Sequence, residues 1–258
     1  MQKTSFLNLT AAMILMILAS ACSSVGTEVT AKRSTIAIKM DGKLEDPIWY
    51  LTPAYELVHP KTFGQGESPE VRNFFRRGPV EPGKVRLLWD DKYLYIGVDF
   101  TDYDLAAAGN RDQGPNPDGG DAVAIFLKPL NKTWYWELYL NLRGNKTSYF
   151  YPGRGLFGFS GINKAVPALK GLKGAVFFKG TLNNSWDKDK KWTAEIAVPR
   201  MELAMAGEKL DPDIPWLICI VRINYGRYLP IPEKSSFPQL PGTNFHRHES
   251  YGLLKMIQ

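Results

Sequence analysis

The sequence predicts an all-β protein, an antiparallel β-sandwich folded as a single domain, on three observations. Short alternations of apolar and polar residues with a period of two recur along the chain. Turn dipeptides and Pro- or Gly-rich joints separate them at short intervals. After the N-terminus, no stretch keeps the 3.6-residue period of a long amphipathic helix.

The first 33 residues are read apart from that domain. Lys3 precedes a mostly apolar run from Leu7 to Ala19, which is shorter than the ~20 residues a bilayer span needs. Residues 1–21 therefore have the layout of a cleaved export signal. The sequence Ala19-Ser20-Ala21-Cys22 resembles a bacterial lipobox, which implies lipidation of Cys22. Ser23 after that cysteine resembles outer-membrane sorting, so the expected location is the outer membrane, lipid-anchored and facing the periplasm or the cell surface. Residues 22–33 are expected to form a small, polar, flexible tether, and 34–258 the sandwich.

Along that domain, Ser34 to Met40 alternates as a first strand and Asp41-Gly42 reads as a turn. Residues 59–84 read as a loop or insertion. Val85 to Phe100 reads as a hairpin about Asp90, Asp91 and Lys92. A long polar loop over 102–120 precedes a strand from Ala122 to Leu127 and another from Thr133 to Leu142. Residues 146–170 are expected to be mostly loop. Strands follow at Gly174 to Leu182, Trp192 to Val198, Trp216 to Tyr225 and Tyr251 to Met256, with one helical turn at Met201 to Ala206.

Composition narrows the partners. The net charge of +6 is spread along the chain and shows no basic stripe of the nucleic-acid kind. Of the two cysteines, Cys22 is the lipidation candidate, which leaves Cys219, in the apolar run WLICIVRINY, as a buried free thiol. Trp49, Trp89, Trp192 and Trp216 lie in strand-like or opening motifs and are expected in the core. Trp186, in the polar loop NNSWDKDKK, is the tryptophan expected at the surface.

Six motifs in order resemble the family 9 carbohydrate-binding modules. They are Asp41-Gly42 through Trp49, Trp89-Asp90-Asp91 through Tyr95, Gly120-Asp121 through Leu127, Asn141 through Gly144, Trp192 through Pro199, and Arg222-Ile223-Asn224 with the late His248 to Gly252 segment. The resemblance spans roughly residues 35–256. It implies an immunoglobulin-like, jelly-roll-like sandwich related to DOMON domains, and recognition of an oligo- or polysaccharide in the service of a glycoside hydrolase system. Members that bind sugar tend to place Trp before the Gly-Asp pair and Glu in the next strand. Here Pro117-Asp118 and Ala124 occupy those places.

Sugar binding needs aromatic faces for the C–H face of a pyranose and planar polar groups for its hydroxyls. The strand after Trp134 offers Tyr135, Glu137, Tyr139 and Asn141 on the face opposite Trp136, Leu138 and Leu140. Arg222 and Asn224 share a face of a later strand, and these six, with Trp186 and Tyr228, form the expected ligand patch. Tyr149, Tyr151 and Phe157 are further rings that could take the place of the missing Trp. Asp118 and Asp121, with other loop aspartates, are hard-oxygen candidates for a structural calcium, which family members often carry. Glycosidases need two carboxylates about the scissile bond. Glu137 and Glu195 are conceivable, but Glu195 belongs to a structural motif, so no catalytic residue is assigned. His246 and His248 alternate as zinc ligands do, without a third ligand. The rival reading is a DOMON-like haem-binding electron carrier, which requires an axial His, Met or Lys in an apolar pocket.

Overall fold

A computed structural model describes residues 26–62, 67–114, 119–154, 169–206 and 208–258. The segment expected to be an export signal, Cys22, Asp118 and Phe157 lie outside the described residues. The architecture is the expected sandwich. Twelve strands form it: β1 (Glu28–Arg33), β2 (Tyr55–Glu56), β3 (Gly83–Trp89), β4 (Tyr93–Thr101), β5 (Ala122–Pro129), β6 (Tyr135–Asn141), β7 (Lys146–Tyr151), β8 (Lys173–Lys179), β9 (Lys191–Pro199), β10 (Trp216–Asn224), β11 (Glu233–Phe237) and β12 (Gly252–Ile257).

The strands form one continuous path, β7-β6-β5-β10-β12-β1-β3-β4-β9-β8, with β11 beside β10 and β2 beside β3. Neighbours are antiparallel except around β1, which runs parallel to both β12 and β3. The two halves of the path face each other across one core. Gly174 of β8 shows how closely they approach, because a Cβ there would stand 2.5 Å from Leu140 Cδ1 of β6.

Period two decides which face each residue joins. In the inner core lie Val123, Ile125 and Leu127 of β5, Trp136, Leu138 and Leu140 of β6, and Trp216, Ile218 and Ile220 of β10. Facing them are Val85, Leu87 and Trp89 of β3, Leu94 to Phe100 of β4 on alternate positions, and Trp192, Ala194 and Ile196 of β9. Each half also buries part of its outer face. One outer cluster gathers Ala124, Phe126, Tyr135, Tyr139, Tyr149, Cys219, Val221, Leu240 and Tyr251. The other gathers Leu44, Ile48, Trp49, Leu88, Tyr95 and Ala197. The fold therefore has covering segments, sheet, core, sheet and covering segments in succession. Trp49, Trp89, Trp192 and Trp216 are all buried, as is the Cys219 thiol, whose pKa burial pushes up.

Four expectations are corrected. Ser34 to Met40 is not a strand; it crosses the outside of β3 and β4, with Ile38 and Met40 packed on the outer cluster and Ile36 exposed. The first strand is β1, inside the expected tether, because its buried Val29 and Ala31 fill the gap between β12 and β3. The insertion at 59–84 holds a short helix, α1 (Pro69–Phe74), capped by Ser68, whose Oγ accepts a hydrogen bond from Val71 N. Residues 146–151 form β7, and β11 went unread because its sequence, EKSSF, carries little apolar signal. The hairpin expected at Val85 to Phe100 is present as β3 and β4.

The opening motif is tied down by Glu195 of β9. Its Oε2 accepts from Asp41 N and Gly42 N, both at 2.9 Å, and its Oε1 accepts from Trp49 Nε1 at 3.0 Å. Gly42 sits at φ +81°, and a Cβ there would meet the backbone of Val176 at 2.5 Å, so only glycine fits. Burial raises the Glu195 pKa, and the three donors pull it back. Glu195→Ala leaves those donors without an acceptor and is expected to cost about 3 kcal/mol. Glu195→Gln keeps one acceptor oxygen and should cost less. Urea denaturation of both variants checks this; an Ala variant as stable as the wild type would refute the clamp.

Candidate functional site

The eight expected ligand residues do not form one patch. The structure divides them among three places.

Arg222 and Asn224 are corrected first. Both are fully buried and continue the inner face of β10, on the opposite side of the sheet from Tyr135 and Tyr139. Arg222 donates through Nη1 to Glu81 O at 2.7 Å, and through Nη2 to Asp102 Oδ2 at 3.1 Å and Asn224 Oδ1 at 2.8 Å. Its guanidinium lies 4.8 Å from the centroid of Phe100. Asn224 Nδ2 donates to Glu81 Oε2 at 2.7 Å and to Glu233 Oε2 at 3.3 Å, and Glu233 Oε1 is bonded to His59 Nε2. These residues serve the interior, because a buried cation is retained only where paired groups satisfy it.

The same interior shapes the long loop after β4. Five successive backbone amides each find a side-chain acceptor. Tyr103 N donates to Glu81 Oε1, Asp104 N to Asp102 Oδ1, Leu105 N to Asp189 Oδ2, Ala106 N to Asp121 Oδ2 and Ala107 N to Asn183 Oδ1. Burial raises the Asp102 pKa to about 6, with Arg222 opposing and Glu81 reinforcing the shift. Burial also raises Asp121 well above the usual carboxylate range, with the Asp102 charge adding to it. Asp121 is corrected as a calcium ligand, since its two oxygens accept from Ala106 N and Tyr225 N. Asp104 accepts from Arg227 N, and Asp112 pairs with Lys146. Among the described residues, no three His, Cys, Asp or Glu side chains are gathered to hold a metal.

The second place is the outer face of β6, and here the expected residues do come together. Tyr135, Glu137 and Tyr139 are buried in the aromatic outer cluster with Tyr149 and Tyr251, and half-buried Tyr151 and Phe245 pack against it. Tyr135 stacks on Tyr151 with centroids 4.7 Å apart and planes 3° from parallel. Ala124 packs in this cluster, opposite Tyr139 and Val221 across the strands. Where the family resemblance implies a Glu, the face is therefore closed by tyrosine.

Glu137 is the one carboxylate in this cluster. Its Oε1 accepts from the Tyr139 hydroxyl, while no hydrogen bond of ordinary geometry reaches Oε2. Burial raises its pKa; the hydroxyls of Tyr139 and Tyr151 and the nearby His246 favour the charged form. Asn141 ends the strand in a supporting role. Its Nδ2 donates to Ala108 O, and its Oδ1 accepts from Arg143 N and Asn145 N. Beside it, Ala107 to Asn110, Arg143 and Asn145 line an open depression of about 810 Å³.

His246 and His248 were missed as members of this face. They do not lie on a strand: His248 belongs to a 3₁₀ turn (His248–Ser250) and His246 precedes it. His246 Nδ1 is 2.8 Å from the Tyr135 hydroxyl, and the His248 ring centroid is 4.4 Å from that of Tyr135. His248 Nε2 is buried and has no partner. At the rim, Arg154 Nη1 donates to Glu249 Oε2 at 2.9 Å. The aromatic content of NFHRHESY was visible in the sequence, but the alternation of the two histidines suggested a strand.

The third place is the loop end of the sandwich, which holds Trp186, at 94% exposure, and Tyr228. For the haem reading, Met40 packs on an outer cluster, Met256 packs against the core, and Met201 is on the surface. His59 is bonded through both ring nitrogens.

No protein-family model matches the sequence, and no curated protein does. The likeness to known proteins is three-dimensional. A candidate carbohydrate-binding protein from Bacteroides uniformis superposes with a TM-score of 0.63 at 11% identity, over 90% of this chain and 99% of that one. A family 9 carbohydrate-binding module from Caldicellulosiruptor kristjanssonii, in complex with cellotriose, gives 0.51 at 14% identity over 90% and 94%. A structure of such a module from the same organism with glucose gives 0.50 at 16% over 88% and 95%. The chain thus has the β-sandwich fold seen in these modules.

His248 makes this face sensitive to pH. Burial, Arg154 and Lys128 lower its pKa from 6.5 to about 4; Glu249 opposes the shift and His246 adds to it. In the unfolded chain the imidazole binds a proton as the pH falls through about 6.5, whereas the folded protein resists until about 4. Between those values the unfolded state binds more protons, so stability falls with pH. Asp102 and Asp121, whose pKa values burial raises, act in the opposite sense over this range, so the test is a difference: from pH 7 to 4 the denaturant midpoint should fall more, or rise less, in the wild type than in His248→Asn. A slope unchanged by the substitution would contradict the burial of a neutral imidazole.

Proposed function

We propose that this protein binds carbohydrate through the outer face of the β5–β6–β7 sheet. The observation that carries the reading is Glu137. A carboxylate buried among tyrosines, whose Oε2 has no hydrogen bond of ordinary geometry and only the Tyr151 hydroxyl beside the group to share it with, is an acceptor suited to a sugar hydroxyl. Half-buried Tyr151 and Phe245 at the edge of the cluster supply stacking area, and the unpartnered His248 Nε2 adds a second polar atom. The solved modules of the same fold, with cellotriose and glucose bound, support the same ligand class. Binding fits better than hydrolysis, because the other carboxylate weighed for catalysis, Glu195, is fully engaged by Asp41, Gly42 and Trp49. In calorimetry against glucose and cellotriose, Glu137→Gln and Tyr151→Ala should each weaken binding about tenfold. Wild-type binding retained in full by both variants would refute this site, and no binding by the wild type would refute the reading.

We further propose that the protein is exported and held at the outer membrane by lipid on Cys22, where it captures oligo- or polysaccharide for glycoside hydrolase partners. The support is the signal-like run ending in Ala19-Ser20-Ala21-Cys22. Radiolabelled palmitate should enter the wild type and not Cys22→Ser. An unlabelled wild type with a free N-terminus would overturn the anchor.

A further inference from the structure

Trp186 and Tyr228 belong to neither the aromatic face nor the core, and the structure gives them a frame of their own. Trp186 stands on the turn between β8 and β9 at 94% exposure, and Tyr228 follows β10 at 47%. Arg227 joins the two loops. Its Nη1 donates to Asn184 O at 3.4 Å, and its Nη2 donates to Asp187 O and to the Tyr228 hydroxyl. The guanidinium also lies 4.7 Å from the Tyr228 ring centroid, and Arg227 N donates to Asp104 Oδ2 at 2.6 Å. The turn is braced from below. Trp186 N donates to Asn184 Oδ1, the Asn183 side chain is bonded to Ala107 on both its atoms, and Asp189 accepts from Leu105 N and Thr181 N. A nearly bare indole is thus presented on a loop whose backbone is fixed, so little ordering cost attends a contact made there.

We propose that this end of the sandwich is a second glycan contact, a stacking platform of Trp186 and Tyr228 that holds a neutral pyranose polysaccharide alongside the Glu137 site. The proposal rests on the carbohydrate reading above. Two features select a sugar chain as the occupant. An exposed ring offers a flat apolar face, and the groups around it, Asn184, Asp187 and Arg227, are planar and polar, as hydroxyl recognition requires. Two sites on one rigid domain add avidity for a polymer that neither adds for a short sugar.

The experiment compares wild type, Trp186→Ala, Tyr228→Ala and Glu137→Gln by affinity electrophoresis in hydroxyethyl cellulose, xylan and galactomannan, and by calorimetry with cellotriose. Trp186→Ala and Tyr228→Ala should lose about tenfold in retention by a polymer the wild type binds, with cellotriose affinity unchanged and the same melting midpoint. Glu137→Gln should weaken cellotriose binding by the same factor of about ten given above. Polymer should also shield Trp186 from acrylamide quenching, a signal absent from Trp186→Phe. Polymer retention unchanged in Trp186→Ala overturns the platform while the Glu137 reading stands. Wild type retained by none of the polymers overturns it as well. Wild-type sedimentation with phosphatidylglycerol vesicles that Trp186→Ala abolishes, at unchanged polymer retention, replaces the glycan with a lipid surface.

Discussion

The structure depends on how the loop after β4 satisfies its backbone. From Tyr103 to Ala107, five consecutive amides point at side chains and not at a neighbouring strand. Buried amides demand acceptors, and a loop has no ladder to provide them. Four of the acceptors come from other parts of the chain, at Glu81, Asp121, Asn183 and Asp189, and the fifth, Asp102, from the start of the loop itself. Gathering carboxylates in the interior is unfavourable unless a cation offsets them, and Arg222 is that cation. One inward-pointing arginine thereby sets the position of the loop, and the loop sets the ends of β5, β6 and the β8–β9 turn. The surfaces proposed to meet ligand are consequences of this interior charge arrangement.

Much of the fold was legible because apolar alternation is a local signal. β3, β4, β5, β6 and β9 each carry an inner row of large apolar residues, and Trp89, Trp136 and Trp192 sort correctly with that row. The errors share a cause. Ser34 to Met40 alternates as well as any strand, yet the Glu195 clamp on Asp41 and Gly42 draws it out of ladder pairing and across the sheet. β1, β7 and β11 are mixed or polar in composition; β1 takes its strand state from β12, distant in sequence, whereas β7 and β11 pair with the strands just before them, β6 and β10.

The site divides along the same line. On β6, the sequence placed Tyr135, Glu137 and Tyr139 together because neighbours on one strand share a face by period alone. Arg222 and Asn224 were also assigned to an outer face, on the assumption that a polar pair seeks water. Their partners, Glu81, Asp102 and Glu233, are separated from them by intervals that no periodicity reports. His246 and His248 were visible as residues, but their position over Tyr135 comes from the path of the segment after β11, which only the folded chain shows.

The parallel pairing of β1 with β12 has a consequence for how the molecule is made. Glu28 lies opposite Leu253, so the seam that joins the two halves needs strands from the two ends of the domain. Contacts of such long sequence separation form late, because loop closure must precede them. Until the chain through Ile257 is available, β1 and β10 present unpaired edges and the core stays open. A chain of this design closes its core only when a strand from each end of the domain has met the other.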